Sequence, residues 1–144
     1  MTTDRFPKIY LYRRIVQAKL FMDEHFADDI HLESIAGEAF FSKFHFIRLF
    51  KMVYGKTPHQ YLTYIRIEKA KLLLQENQSI ADVCFSVGFN SISSFTGLFK
   101  SITKETPSSY QQHQLKRKLE IKKTPLKFVP NCFVESFDMA GEKK

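Results

Sequence analysis

Ser42-Lys-Phe-His-Phe-Ile-Arg-Leu-Phe-Lys51 is echoed 49 residues later by Ser91-Ile-Ser-Ser-Phe-Thr-Gly-Leu-Phe-Lys100. The echo continues on both sides. Phe46, Leu49, Phe50, Lys51, Thr57, Pro58 and Tyr61 recur at the same offset as Phe95, Leu98, Phe99, Lys100, Thr106, Pro107 and Tyr110. Upstream the offset is 48, pairing Leu32, Ile35, Ala36, Ala39 and Phe41 with Ile80, Val83, Cys84, Val87 and Phe89. The copies therefore differ by one residue in a turn, and a duplicated supersecondary unit says more about the fold than one motif does.

Working outward, helical periodicity dominates. Tyr12, Ile15, Val16, Leu20 and Met22 or Phe26 recur at helical spacing from Ile9 to about Phe26, predicting a first amphipathic helix. Leu32, Ile35, Ala36 and Ala39 predict a short second helix, followed by a turn at Phe40-Phe41-Ser42. Ser42 is placed to cap a third helix ending near Gly55. Pro58 suits the first turn of a long helix to about Gln75, with Ile67, Ala70, Leu73 and Leu74 on one face and Tyr61, Ile65 and Leu72 on another. Such a helix can bridge two small cores. Ser79 and Asp82 have capping-box spacing, Gly88 supplies a turn, Ser91 caps a further helix, and Pro107 opens a last short one containing Tyr110. The expected fold is all-α, with about seven helices. Two helix-turn-helix subdomains, 1–57 and 77–112, flank a linker helix at 58–76, and a tail occupies 113–144.

Bulk properties narrow the function. The chain has 144 residues, 44% hydrophobic content, 15 Phe and 6 Tyr, enough for packed cores. No apolar run has the roughly 18 residues of a membrane span and the N-terminus lacks a signal-peptide pattern, so a cytoplasmic location is expected. Cys84 and Cys132 fit no disulfide framework or metal spacing. Reduced thiols, no metal, no cofactor and no catalytic role are expected. Net charge is +7, but residues 1–112 hold 14 basic against 11 acidic residues, while 113–144 hold 8 against 4. Bulk charge thus favours nucleic acid only modestly, and the placement of individual charges must decide.

On the third helix, periodicity puts Phe46, Leu49, Phe50 and Val53 inside. Phe44, Ile47, Arg48 and Lys51 then face out, with Lys43 and His45 on the flanks. On its counterpart, Phe95, Leu98, Phe99 and Ile102 face in; Ser93, Thr96, Gly97 and Lys100 face out, flanked by Ile92 and Ser94. Two large apolar groups beside an outward Arg suit the major groove, where Arg can bond guanine bidentately and apolar groups can meet thymine methyls. Lys51 and Lys100 suit phosphates. The competing reading packs Phe44 and Ile47 against the first helix or the tail, and pairs Arg48 with Glu33 or Glu38.

Arg48-Leu-Phe-Lys51, Gly88-Phe89, Phe99-Lys100, the two Thr-Pro-x-x-Tyr closures, and Arg66-Ile67 with Ala70, Leu73 and Leu74 resemble the AraC/XylS family of bacterial transcription regulators over roughly residues 9–112. The resemblance implies two helix-turn-helix units that insert their second helices into adjacent major grooves on one face of DNA. It assigns base reading to Phe44, Ile47 and Arg48, with Lys43 beside them, and to Ile92, Ser93, Ser94, Thr96 and Gly97. Phosphate contact goes to Ser42, His45, Lys51, Ser91 and Lys100. Two departures stand out: Phe40 replaces a usual Gly in the first turn, and Gly97 replaces a frequent Arg. The latter removes a contact and costs the helix roughly 1 kcal/mol relative to Ala, so readout should be stronger through the first unit.

The resulting expectation is a double-stranded-DNA-binding activator, able to act as a monomer on a site spanning two major grooves, with RNA polymerase as a candidate partner. The family usually carries a ligand-sensing domain, for which only the tail leaves room here; regulation would then come from abundance, a partner or the tail. The alternative is a protein-interaction module, such as an RNA polymerase-binding adaptor, with weak nonspecific DNA contact. In the tail, Leu115–Lys123 reads as a basic arm continuing the last helix or as a solvated run, and Phe128–Phe137 as β-prone chain docked on the domain or disordered.

Overall fold

Serine and threonine hydroxyls set the starts of five helices. The computed structural model describes residues 5–31 and 42–124, and side chains from Ile9 onward. Six helices lie among the described residues: α1 (Arg5–His25), α2 (Lys43–Tyr54), α3 (Pro58–Gln75), α4 (Ile80–Ser86), α5 (Ile92–Thr103) and α6 (Pro107–Lys123). The short helix expected over Leu32–Ala39, the Phe40 turn and the chain beyond Thr124 lie outside the described residues.

Ser42, Thr57, Ser79, Ser91 and Thr106 each hold extended backbone, and their hydroxyls accept from the N–H of His45, Gln60, Asp82, Ser94 and Ser109 at 3.1–3.2 Å. Each bond satisfies a donor left over at a helix start, worth about 1 kcal/mol. At Thr57 the box closes, because the Thr57 N–H donates to Gln60 Oε1 at 3.0 Å. At Ser79 only the hydroxyl half of the expected box forms.

The helix ends repeat as well. Gly55 closes α2 at φ 74°, ψ 0°, and Lys104 closes α5 at φ 71°, ψ 6°. The second copy thus keeps a left-handed cap that glycine tolerates freely and lysine does not.

Two cores result. Ile15, Ala18, Met22, Phe46, Phe50, Leu62 and Ile65 form the first; Ile67, Ala70, Leu74, Val83, Cys84, Val87, Phe89, Phe95 and Phe99 form the second. Linker helix α3 supplies both from different faces, as its two apolar stripes require. The packing inside them is duplicated: Phe46–Phe50 centroids lie 5.9 Å apart and Phe95–Phe99 5.7 Å. Tyr61 meets Phe50 edge-on at 5.6 Å, and Tyr110 meets Phe99 edge-on at 5.5 Å.

Seven expected apolar-face positions differ: on α1, Tyr12, Val16 and Leu20 are exposed while Ile15, Ala18 and Met22 are buried. Val53, Leu98 and Ile102 are exposed, since the two phenylalanines of each helix fill the contact with the preceding helices and the third row falls at its edge. Leu72 is exposed too; Leu62, not Leu72, joins Tyr61 and Ile65 on the first core.

The last helix runs through the 112/113 boundary to Lys123, so Leu115–Lys123 continues it, the first of the two readings its sequence allowed. Its side chains capture the end of α3: Gln111 Nε2 donates to the carbonyls of Leu74 at 3.2 Å and Gln78 at 2.6 Å, and Lys118 Nζ donates to that of Gln75. The Leu74 carbonyl also accepts from the Asn77 N–H at 3.3 Å, so Gln111 adds a further donor there and ties the Gln78 carbonyl just past the helix, while Lys118 adds positive charge at the negative end of the helix dipole.

Candidate nucleic-acid interface

Burial of Phe46 and Phe50 fixes the roll of α2 and therefore what the helix shows to solvent. Phe44 is 79% exposed. Arg48, Lys51, Lys43, His45 and the cap Ser42 are exposed, and Ile47 is half-buried. A phenylalanine left in water forgoes on the order of 2 kcal/mol of burial, and Phe44 does not pack into either core. Arg48 makes no ion pair or hydrogen bond with a described residue; Glu33 and Glu38 lie outside those residues. His45 sits on the α1 side, lining with Leu11, Tyr12, Leu49 and Met52 a hollow of about 250 Å³.

Phe95 and Phe99 set α5 in the same way. Ile92, Ser93, Ser94, Gly97 and Lys100 are exposed, and Ser91 and Thr96 are half-buried. A Cβ built on Gly97 meets nothing within 4 Å. This face is small and polar where the α2 face is bulky, apolar and cationic, so the two present different chemistry on the same backbone plan.

Neither α2 nor α5 carries an acidic residue in its first turn, and each carries its lysine, Lys51 or Lys100, in the last. The positive ends of both helix dipoles are therefore not neutralised locally, which favours an anion such as phosphate there.

The exposed Leu98 and Ile102, with Ser101, form one wall of a groove of about 540 Å³ whose other wall is Lys56, His59, Gln60, Thr63 and Tyr64. The Lys56 ammonium sits 4.7 Å from the Tyr64 ring centroid. Helical periodicity missed this groove, because it assigned Leu98 and Ile102 to the core. Its only signal in the sequence is the pairing of Leu98 with Leu49, which lines the smaller hollow of the first copy.

Outside these faces, ionisable groups are structural. The Tyr61 hydroxyl donates to Asp23 Oδ1 at 2.6 Å, and Asp23 pairs with Lys19 at 2.6 Å. Burial, then the Asp23 hydrogen bond, pushes the Tyr61 hydroxyl up to about 12. Cys84 is buried in the second core and burial raises its thiol, the opposite of what an activated nucleophile needs. Among the described residues no His, Cys, Asp and Glu cluster could hold a metal, and no helix is long and apolar enough to cross a membrane.

Comparison with known proteins agrees with this geometry. A helix-turn-helix domain family model matches residues 35–113, more than half of the chain. The MmsAB operon regulatory protein of Pseudomonas aeruginosa is 37% identical over 93 residues, which are 64% of this chain and 30% of that protein. The bifunctional transcriptional activator/DNA repair enzyme AdaA of Bacillus subtilis is 34% identical over 93 residues, 64% of this chain and 44% of AdaA, and the match lies in the helix-turn-helix region. The chain thus spans less than half the length of either relative. Among solved structures, the DNA-binding domain of the global transcriptional factor AdpA in complex with a target DNA superposes with a TM-score of 0.68 at 26% identity, covering 72% of this chain and 94% of that one. With its duplicated helix-turn-helix, its shared linker helix and these matches, the chain belongs to the AraC/XylS family of transcription regulators.

Proposed function

We propose that this chain is the sequence-specific, double-stranded-DNA-binding unit of a transcription regulator, acting as an activator, with α2 and α5 each lying in one of two successive major grooves. The observation that carries this reading is the pair of outward faces on a duplicated frame: Phe44, Ile47 and Arg48 on α2, and Ile92, Ser93, Ser94, Thr96 and Gly97 on α5. Arg48 is the guanine reader and Phe44 the apolar contact. Lys43 flanks them. Ser42, His45, Lys51, Ser91 and Lys100 bind phosphates and set the register. The small α5 face reads little and contributes fit.

The units assigned to these roles are residues 1–57, linker 58–76 and 77–112, with the remainder of α6 attached to the second. A monomer carries both heads, and RNA polymerase is the partner that activation calls for. Centre-to-centre, the two half-sites should lie about one helical turn apart, roughly 34 Å.

Titration against the best duplex from a random pool tests this, at several salt concentrations. The proposal expects a bipartite site preferred by at least about a thousandfold over scrambled DNA. Equal affinity for any duplex with the same salt slope would refute it.

A further inference from the structure

The segment after α1 belongs by chain order to the first head but is gripped by residues of the linker and the second. Arg66, half-buried on α3, donates from Nε to the Phe26 carbonyl at 2.6 Å and from Nη2 to the Asp28 carbonyl at 3.0 Å. Across the same segment lies Gly88, the turn residue of the second helix-turn-helix, at φ 98°. Its approach is so close that a Cβ there would fall 2.9 Å from the Ala27 carbonyl oxygen, 3.0 Å from the Ala27 Cα and 3.0 Å from the Phe26 oxygen. The neighbouring Phe89 ring centroid is 5.8 Å from the Arg66 guanidinium carbon. Phe26 itself packs against both cores.

A single linker helix leaves two heads able to pivot at its ends, around Thr57 and around Glu76–Ser79. The Phe26–Asp28 segment removes that freedom. Rotating the second head away from the first opens the Gly88–Ala27 contact, and rotating it inward drives backbone into backbone. Arg66 fixes the segment from the third side, using planar guanidinium geometry that a lysine does not reproduce.

We propose that Arg66 and Gly88 are positioning residues that hold the two heads in one relative geometry and so dictate which half-site spacing the chain accepts. This rests on the two-headed DNA-reading function above. Inserting one base pair between half-sites moves them apart by about 3.4 Å and rotates them by roughly 35°. A rigid pair of heads cannot follow that change, whereas a loosened pair can.

Affinities of the full chain and of Arg66→Gln and Arg66→Lys are measured for the selected site, for the same site with one base pair added or removed, and for each half-site alone. The expected result is unchanged half-site affinity with spacing discrimination reduced about tenfold in Arg66→Gln, the loss of one of its two charged hydrogen bonds being of that order, and less in Arg66→Lys. Unchanged discrimination in a folded Arg66→Gln overturns the proposal. A DNA-free arm separates this outcome from failure of the DNA-reading function. In a Cys132→Ser background, spin labels at Lys51→Cys and Lys100→Cys report the inter-head distance, expected as one narrow peak that broadens in both Arg66 variants. Peaks of equal width overturn the clamp whatever the DNA result, and Arg66→Lys keeps the charge and alkyl stem should Arg66→Gln not fold.

Discussion

Three glycines make one graded stability prediction, because they differ in only two physical respects. Gly97 sits inside α5 with open space where its Cβ would be. Alanine there loses no contact and gains helix propensity of about 0.8–1.0 kcal/mol, which for a domain of this size raises Tm by roughly 3–4 °C. Gly55 also has nothing within 4 Å, but its φ is 74°. Alanine at Gly55 must adopt the left-handed region and loses roughly 1–2 kcal/mol. Gly88 combines positive φ with backbone atoms at 2.9–3.0 Å. Those atoms cannot swing aside as a side chain can, so Gly88→Ala should cost about 3 kcal/mol or more, the sum of left-handed strain and overpacking. Urea unfolding followed by far-UV circular dichroism gives all three values. The order Gly97→Ala above wild type, then Gly55→Ala, then Gly88→Ala supports the reasoning. A destabilised Gly97→Ala, or equal losses at Gly55 and Gly88, would refute it.

Other perturbations address the caps, the half-buried Tyr61 and the reading face. Lys104→Gly relieves the left-handed lysine cap and should stabilise by about 0.5–1 kcal/mol in the same urea assay. Tyr61 has a folded pKa raised to about 12 against an ordinary value near 10. Its contribution is therefore complete below pH 10 and is lost as pH rises toward 12. Unfolding midpoints should fall across that window more steeply in wild type than in Tyr61→Phe; parallel curves would contradict the assignment. Phe44→Ala removes an exposed ring, so its stability should stay within about 0.5 kcal/mol of wild type while affinity for the selected site falls, as read by fluorescence anisotropy.

What the sequence made legible was whatever repeats or acts locally. Helical periodicity, the same in both copies of the repeat, identified Phe46, Phe50, Phe95 and Phe99 as buried, and with the cores fixed the outward faces followed. Ser42 and Ser91 cap as their spacing implies, since an N-cap bond spans three residues. Periodicity failed where depth mattered: it names a face without saying how far a neighbour extends over it, so Leu98, Ile102 and Val53 were assigned to a core that ends before them. Nonlocal contacts were equally invisible. The length of α6 depends on Gln111 and Lys118 reaching carbonyls 33 to 43 residues away. The grip of Arg66 on Phe26 spans 40 residues, and nothing near either residue announces it. The left-handed cap at Lys104 was hidden because its counterpart, Gly55, is the residue type that such caps usually show.

The most direct test of the two-headed reader is selection of bound sequences from a random duplex pool by wild type and by Arg48→Ala in parallel. A two-headed reader gives a bipartite motif whose two halves lie about one helical turn apart. In Arg48→Ala one half should relax, with an affinity loss of roughly 1–3 kcal/mol, while the other half stays intact. A single-part motif, or a bipartite one untouched by Arg48→Ala, would contradict it.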